Sequence, residues 1–235
     1  MRKLYFLYLL TLTVALQAQV QFTKLEMGDK SSPMDISYLV EPEMVKGTPL
    51  GFDEWRKGKV VVATGDTSKT YLINYHTLGD VVYFKDVETD ELYKTDESSI
   101  TALLIENEAG KMDLFERVLW QNFAEFPKDP RICEILVRKN GFELIKYIDK
   151  ELTEPDEKEN IHVSRLTILD YYAPKERYFW RPDSDSQFEE LSFNKNMVAE
   201  VLNKEQQNKA KDYQKKNKVR WNKEAEVIAM LNSIL

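Results

Sequence analysis

The sequence predicts an α+β protein that is mainly β: an antiparallel meander sheet or barrel-like β body, followed by short C-terminal helices. Three observations carry that expectation. Short β-branched and aromatic runs recur at intervals of about ten residues between 58 and 193, with turn residues between them. Asn140-Gly141 stands between two apolar runs and supplies the two positive-φ residues of a type I′ hairpin turn. After Phe193 the apolar residues change to helical spacing.

The elements follow in order. Arg2 and Lys3 precede an uncharged apolar run over residues 4–16, and Ala18 offers a small residue for cleavage, which is the layout of a secretory signal peptide over 1–18. That run is too short to span a bilayer, which takes roughly 20 apolar residues. The only cysteine is Cys133, so neither a lipid anchor at the new N-terminus nor an internal disulfide is expected. Residues 19–46 read as an extended leader around Ser31-Ser32-Pro33 and Glu41-Pro42, with one strand near 36–40.

The β body is expected over 47–193. Strands fall at 58–63, 70–75, 81–84, 91–94 and 100–105, with turns at Gly65-Asp66 and around Gly79. Residues 112–126 fit either state, since Phe115, Leu119 and Phe123 keep helical spacing in an aromatic-rich stretch. Residues 132–138 and 142–148 form the hairpin, with Cys133 buried inside it as a small hydrophobe. An acidic loop surrounds Pro155. Residues 162–172 and 177–180 are expected to pair across a turn at Ala173-Pro174-Lys175-Glu176, and 187–193 forms the last strand.

Residues 194–235 are expected to be helical. Asn194 caps a helix through Met197 and Val201, a lysine-rich segment runs to about Asn217, and Asn222 caps a last helix with a stripe of Ala225, Ile228, Leu231 and Ile234 or Leu235. Nothing after Val20 is long and apolar enough to cross a membrane.

Net charge is −7, unevenly spread. Residues 204–223 hold eight Lys or Arg against Glu205 and Asp212, whereas the rest of the chain beyond the signal holds 23 basic and 38 acidic residues, about −15. The body is acidic and its helical end is basic.

The order Gly47-Thr48-Pro49, Trp55-Arg56-Lys57-Gly58-Lys59-Val60, Leu72-Ile73-Asn74-Tyr75, Val81-Val82-Tyr83-Phe84 and a lysine-rich end over 213–231 resembles a loose group of exported proteins of Bacteroidota. Those proteins share a β-rich body and a short helical C-terminus. The resemblance implies location and architecture, and it carries no site residue across. A helical end differs from a β-type sorting domain, which implies retention in the periplasm or at the outer membrane.

No motif names a reaction: there is no nucleophile elbow, zinc-protease motif, phosphate loop or dinucleotide glycine pattern, and no cofactor is expected. His76 and His162 are far apart and suggest no metal site. Asp183, Asp185 and Glu189 partly resemble a calcium loop, without its central glycine. Tyr171, Tyr172, Tyr178, Phe179 and Trp180 concentrate five aromatics, and strand alternation turns some of them away from a core, as a platform for a protein or glycan. Lys209, Lys211, Lys215, Lys216, Lys218 and Arg220 are candidates for contact with an anionic surface. The expectation is a non-enzymatic accessory subunit binding a larger envelope protein, with peripheral contact to the outer membrane and no role in nucleic-acid binding. The alternative is a glycan-binding or glycan-active secreted protein.

Overall fold

The computed structural model describes residues 22–24, 45–62, 65–77, 81–95, 100–125, 131–153 and 170–235. The expected signal peptide, the strand near 36–40, the turn around Gly79, the loop around Pro155 and His162 lie outside these residues. One 12-stranded sheet dominates. Its strands are β1 (Phe22–Lys24), β2 (Val45–Lys46), β3 (Arg56–Val61), β4 (Tyr71–Tyr75), β5 (Val82–Asp86), β6 (Leu92–Thr95), β7 (Ala102–Glu106), β8 (Met112–Val118), β9 (Arg131–Lys139), β10 (Phe142–Thr153), β11 (Asp170–Arg181) and β12 (Glu189–Leu191). Helices α1 (Met197–Val201), α2 (Lys204–Asn217) and α3 (Glu224–Ile234) follow. The protein is mainly β as expected, and the sheet is open, not closed into a barrel. The stretch read as a leader contributes β1 and β2, which pair with β6 and β11.

The strand order is β1-β6-β5-β4-β3-β7-β8-β9-β10-β11-β12, with β2 added in parallel to β11. It amounts to two meanders, β3 to β6 and β7 to β12, joined along β3 and β7. The seam is tight. A Cβ on Gly58 would lie 2.6 Å from the Leu104 carbonyl oxygen, so only glycine lets β3 pass between β4 and β7.

Two further devices set the sheet. Asn140 and Gly141 have φ of 52° and 88°, so the β9–β10 hairpin turns as expected. Arg138 forks onto Glu116 of β8 at 2.7 and 2.6 Å and onto Glu143 of β10, and Glu143 also accepts from Arg181 of β11. This alternating-charge ladder crosses four strands and penalises a slip in register, because a one-residue shift would turn the charges onto the opposite face.

Strand β10 is buried on both faces, which explains why its apolar residues do not alternate. Phe142 and Leu144 face the helices with Leu231, Met230 and Val227 of α3. Ile145 and Tyr147 face an inner core with Val118, Phe123, Cys133, Phe179 and Phe188. A third core, with Phe52, Ile73, Tyr75 and Phe115, fills the first meander. Cys133 is buried in the inner core as expected.

The structure corrects several local expectations. Residues 112–125 are a strand, β8, then a short 3₁₀ turn at Trp120–Asn122 and a bridge from Phe123 to Phe188. Phe115 and Phe123 are buried, but Leu119, needed for a helical stripe, is exposed. Residues 173–176 are no turn, because β11 runs unbroken and pairs with β10 from Thr153 back to Glu143. Pro174 is tolerated because it stands between the stretches of β11 covered by β2 and by β12, where a missing N–H costs no ladder bond.

Asn194 does hold the start of α1, accepting from the backbone N–H of Asn196 and Met197. Asn222 does not cap α3, whose N-cap is Lys223. The buried stripe of α3 is Val227, Met230, Leu231 and Ile234; Leu231 and Ile234 belong to it as expected, Ile228 is half-buried and Ala225 is exposed. A capping box between Asn203 and Gln206 starts α2.

Candidate functional site

Alternation along β11 divides its aromatics between two faces, and neither face makes the five-residue platform. Phe179 points into the inner core and is 1% exposed. Tyr178 stacks on Phe193 at 4.1 Å, Trp180 stacks on Phe142 at 5.9 Å, and both lie beneath the helical layer. Tyr172 is half-buried, and Tyr171 alone of the five is exposed, at 39%. The C-terminal helices supply the cover of this face.

Beneath that cover lies a buried ionic cluster. Lys146 on β10 donates to Glu134 of β9 at 2.8 Å and to Glu224 at the first turn of α3 at 3.1 Å. The Tyr178 hydroxyl lies 2.7 Å from the other Glu224 oxygen. Burial raises the Glu134 carboxyl, although Lys146 pulls it back. Burial and the Glu224 carboxylate push the Tyr178 hydroxyl far above its ordinary value. One ammonium thus holds two carboxylates, and the cluster ties the start of α3 to the sheet.

The loop after β11 uses its acids for itself. The Asp183 carboxylate accepts from the backbone N–H of Asp185 and Ser186 and from the Ser186 hydroxyl, and the last of these holds it below the usual carboxylate range. Among the described residues no three metal-binding side chains converge, so Asp183, Asp185 and Glu189 do not form the cation site that their spacing suggested. His76 is half-buried at a bridge to Leu50, and burial lowers its imidazole.

What β11 does build is a recess of about 420 Å³, lined by Ala124, Glu125, Arg177, Phe179, Phe188, Glu189 and Glu190. Its origin is the long-range bridge of Phe123 to Phe188, with the Ala124 N–H donating to the Phe188 carbonyl at 3.0 Å. That bridge lays the chain after β8 against the entry to β12. Phe179 and Phe188 lie beneath the recess, only 1% and 3% exposed, with the Arg177 guanidinium 5.5 Å from the Phe179 ring centre. Arg177 donates to both Glu190 oxygens, at 2.9 and 2.7 Å, and this fork holds the Glu190 carboxyl below its usual range. Arg181 covers the Phe188 ring at 4.5 Å.

The rim therefore carries three carboxylates, at Glu125, Glu189 and Glu190, against one guanidinium that is already paired. A cationic group fits this lining, its charge meeting the carboxylates of the rim. Of these residues the sequence reading singled out only Phe179 and Glu189, and for other roles. The alternation in Gln187-Phe188-Glu189-Glu190 could have turned Phe188 inward, but no local signal pairs residue 123 with residue 188.

A second recess, about 630 Å³, lies between the entry to β3 and the β7–β8 turn, with Trp55, Arg56, Lys57, Glu54, Glu106 and Asn107 in its lining. Arg56 lies over the Phe52 ring at 4.3 Å. The Asn107 amide is engaged in its own turn, donating to Asp113.

The basic residues of the helical end differ in their pairing. Lys209 meets Glu205 at 2.8 Å, Arg220 forks onto Glu226, and Lys215 reaches Asp212 only at 3.5 Å. Lys211, Lys216 and Lys218 are exposed and enter no ion pair with a described residue. Among the described residues no helix is long and apolar enough to cross a membrane. No protein-family model matches the chain, and no curated protein or solved structure matches it.

Proposed function

We propose that the protein is an exported, non-catalytic binding subunit of the cell envelope that holds a basic segment of a larger envelope protein in the β11–β12 recess. The observation that carries this reading is the rim: three carboxylates, whose one arginine is already matched to Glu190. A lysine or arginine side chain of the partner sets its charge among Glu125, Glu189 and Glu190. The exported location rests on the signal-peptide layout at residues 1–18.

Affinity capture from solubilised envelope tests the reading. Wild type recovers a stoichiometric partner, and Glu125→Gln/Glu189→Gln recovers much less of it at the same salt. Equal recovery by both proteins, or no stoichiometric partner for either, rejects the recess as the contact.

A second reading has its own observation. Trp55 in the 630 Å³ recess, beside Arg56, Lys57 and Glu106, offers one aromatic face among charged side chains, a combination that suits a glycan. Binding on a glycan array that is abolished by Trp55→Ala supports it, and a silent array removes it.

A further inference from the structure

The lysines of α2 are not equivalent. At 100° per residue, Lys204, Lys211 and Lys215 fall within an arc of about 40° and form a row about 16 Å long on one flank of the helix, and Lys218 follows at its left-handed C-cap. All four are exposed. Glu205 and Asp212 lie outside that arc, on the side shared with Lys209 and Lys216, and the buried Ala210 anchors the helix from another side. The only ion pair in the row is that of Lys215 with Asp212, at 3.5 Å between side chains 78% and 70% exposed, too wet and too long to neutralise it. Lys204, Lys211 and Lys218 enter no ion pair with a described residue.

We infer that this flank of α2 is a docking face for an anionic lipid surface. The row holds strongly hydrated point charges on flexible stems. It has no aromatic or aliphatic anchor, since the other exposed residue within reach of the arc is Asn208. Protein interfaces are organised around such anchors and are depleted in lysine. A straight row of lysines without them matches a plane of headgroup phosphates instead. The rest of the chain is acidic and is repelled by the same plane, so attraction confined to one flank fixes the orientation of the molecule. The inference is independent of the β11–β12 recess, which lies on other elements.

The test is co-sedimentation of the full-length mature protein with phosphatidylcholine vesicles, with and without phosphatidylglycerol, at low and high salt. Wild type sediments only with the anionic vesicles and is released by salt. Each lysine near such a surface contributes about fivefold in partitioning. Lys204→Gln/Lys211→Gln/Lys215→Gln/Lys218→Gln therefore lowers binding by about two orders of magnitude or more, whereas Lys209→Gln/Lys216→Gln, the same chemistry on the other flank, changes it far less. Circular dichroism and thermal melts of both variants match wild type, because every substituted side chain is exposed. Absence of wild-type binding, equal losses in the two variants, or tighter binding to single-stranded nucleic acid than to the vesicles overturns the inference.

Discussion

Replacing Lys146 by methionine removes the one cation that neutralises the cluster beneath α3. Its side chain is 11% exposed and that of Glu134 15%, so Glu134 is left as a buried carboxylate without its partner. Breaking a fully buried pair from one side costs about 3–5 kcal/mol. Glu224 is 30% exposed and can turn toward water, which places Lys146→Met at about 2–3 kcal/mol. Substituting both partners apolarly, Lys146→Met with Glu134→Leu, removes the stranded charge and brings stability back to within about 1 kcal/mol of wild type. Urea unfolding followed by tryptophan fluorescence measures each difference at constant m-value.

The pH dependence has a defined sign. The Glu134 carboxyl is raised in the folded protein, burial being the first cause. Such a group contributes stability that is fully present below the ordinary carboxylate range and is lost as pH rises through the raised folded value. Without Lys146 that value climbs further, so the penalty of Lys146→Met is full at neutral pH and shrinks toward pH 4. A penalty below about 0.5 kcal/mol, or a double variant as unstable as the single one, refutes the role given to the cluster.

Three further outcomes follow from the packing. Leu231→Ala, in the buried stripe of α3, costs about 2–5 kcal/mol, whereas Ala225→Lys, exposed on the same helix, stays within about 0.5 kcal/mol; paired urea titrations fix the phase of that helix. A Cβ on Gly51 would fall 2.2 Å from the Tyr75 ring, itself wedged against Phe52 and Phe115, so Gly51→Ala loses at least about 2 kcal/mol or fails to accumulate as soluble protein. Hydrogen bonds from Lys69 and from the backbone of Glu88 and Thr89 hold the Asp86 carboxyl below its usual range. Its stabilisation is therefore present above the ordinary carboxylate range and lost as pH falls through the folded value, and Asp86→Asn flattens the acid limb of the stability profile.

What was legible in the sequence is what local chemistry encodes. Asn140-Gly141 marked the hairpin because only a few residue types take positive φ twice in succession. The switch to helices after Phe193 was plain, and Asn203 with Gln206 three residues on was a further start signal that went unused. Pro174 misled, because a proline reads as a break until the pairing of both strand edges is known. The α3 stripe was half legible: Leu231 and Ile234 fit both patterns, and only contact with the sheet brings Val227 and Met230, and not Ala225, into the core. The recess was invisible because it depends on a bridge between Phe123 and Phe188, which periodicity cannot reveal. The basic tail was legible as composition, but its division into paired and exposed lysines follows from helical geometry and from the places of Glu205, Asp212 and Glu226.

The most direct measurement of partner binding at the recess is site-specific photo-crosslinking in intact cells. A photoreactive phenylalanine analogue replaces Glu189 on the rim or, as control, Val87, which is exposed on the β5–β6 turn. A recess that holds a partner gives one discrete adduct of constant mass from position 189 and none from position 87. No adduct from position 189, or the same adducts from both positions, contradicts it.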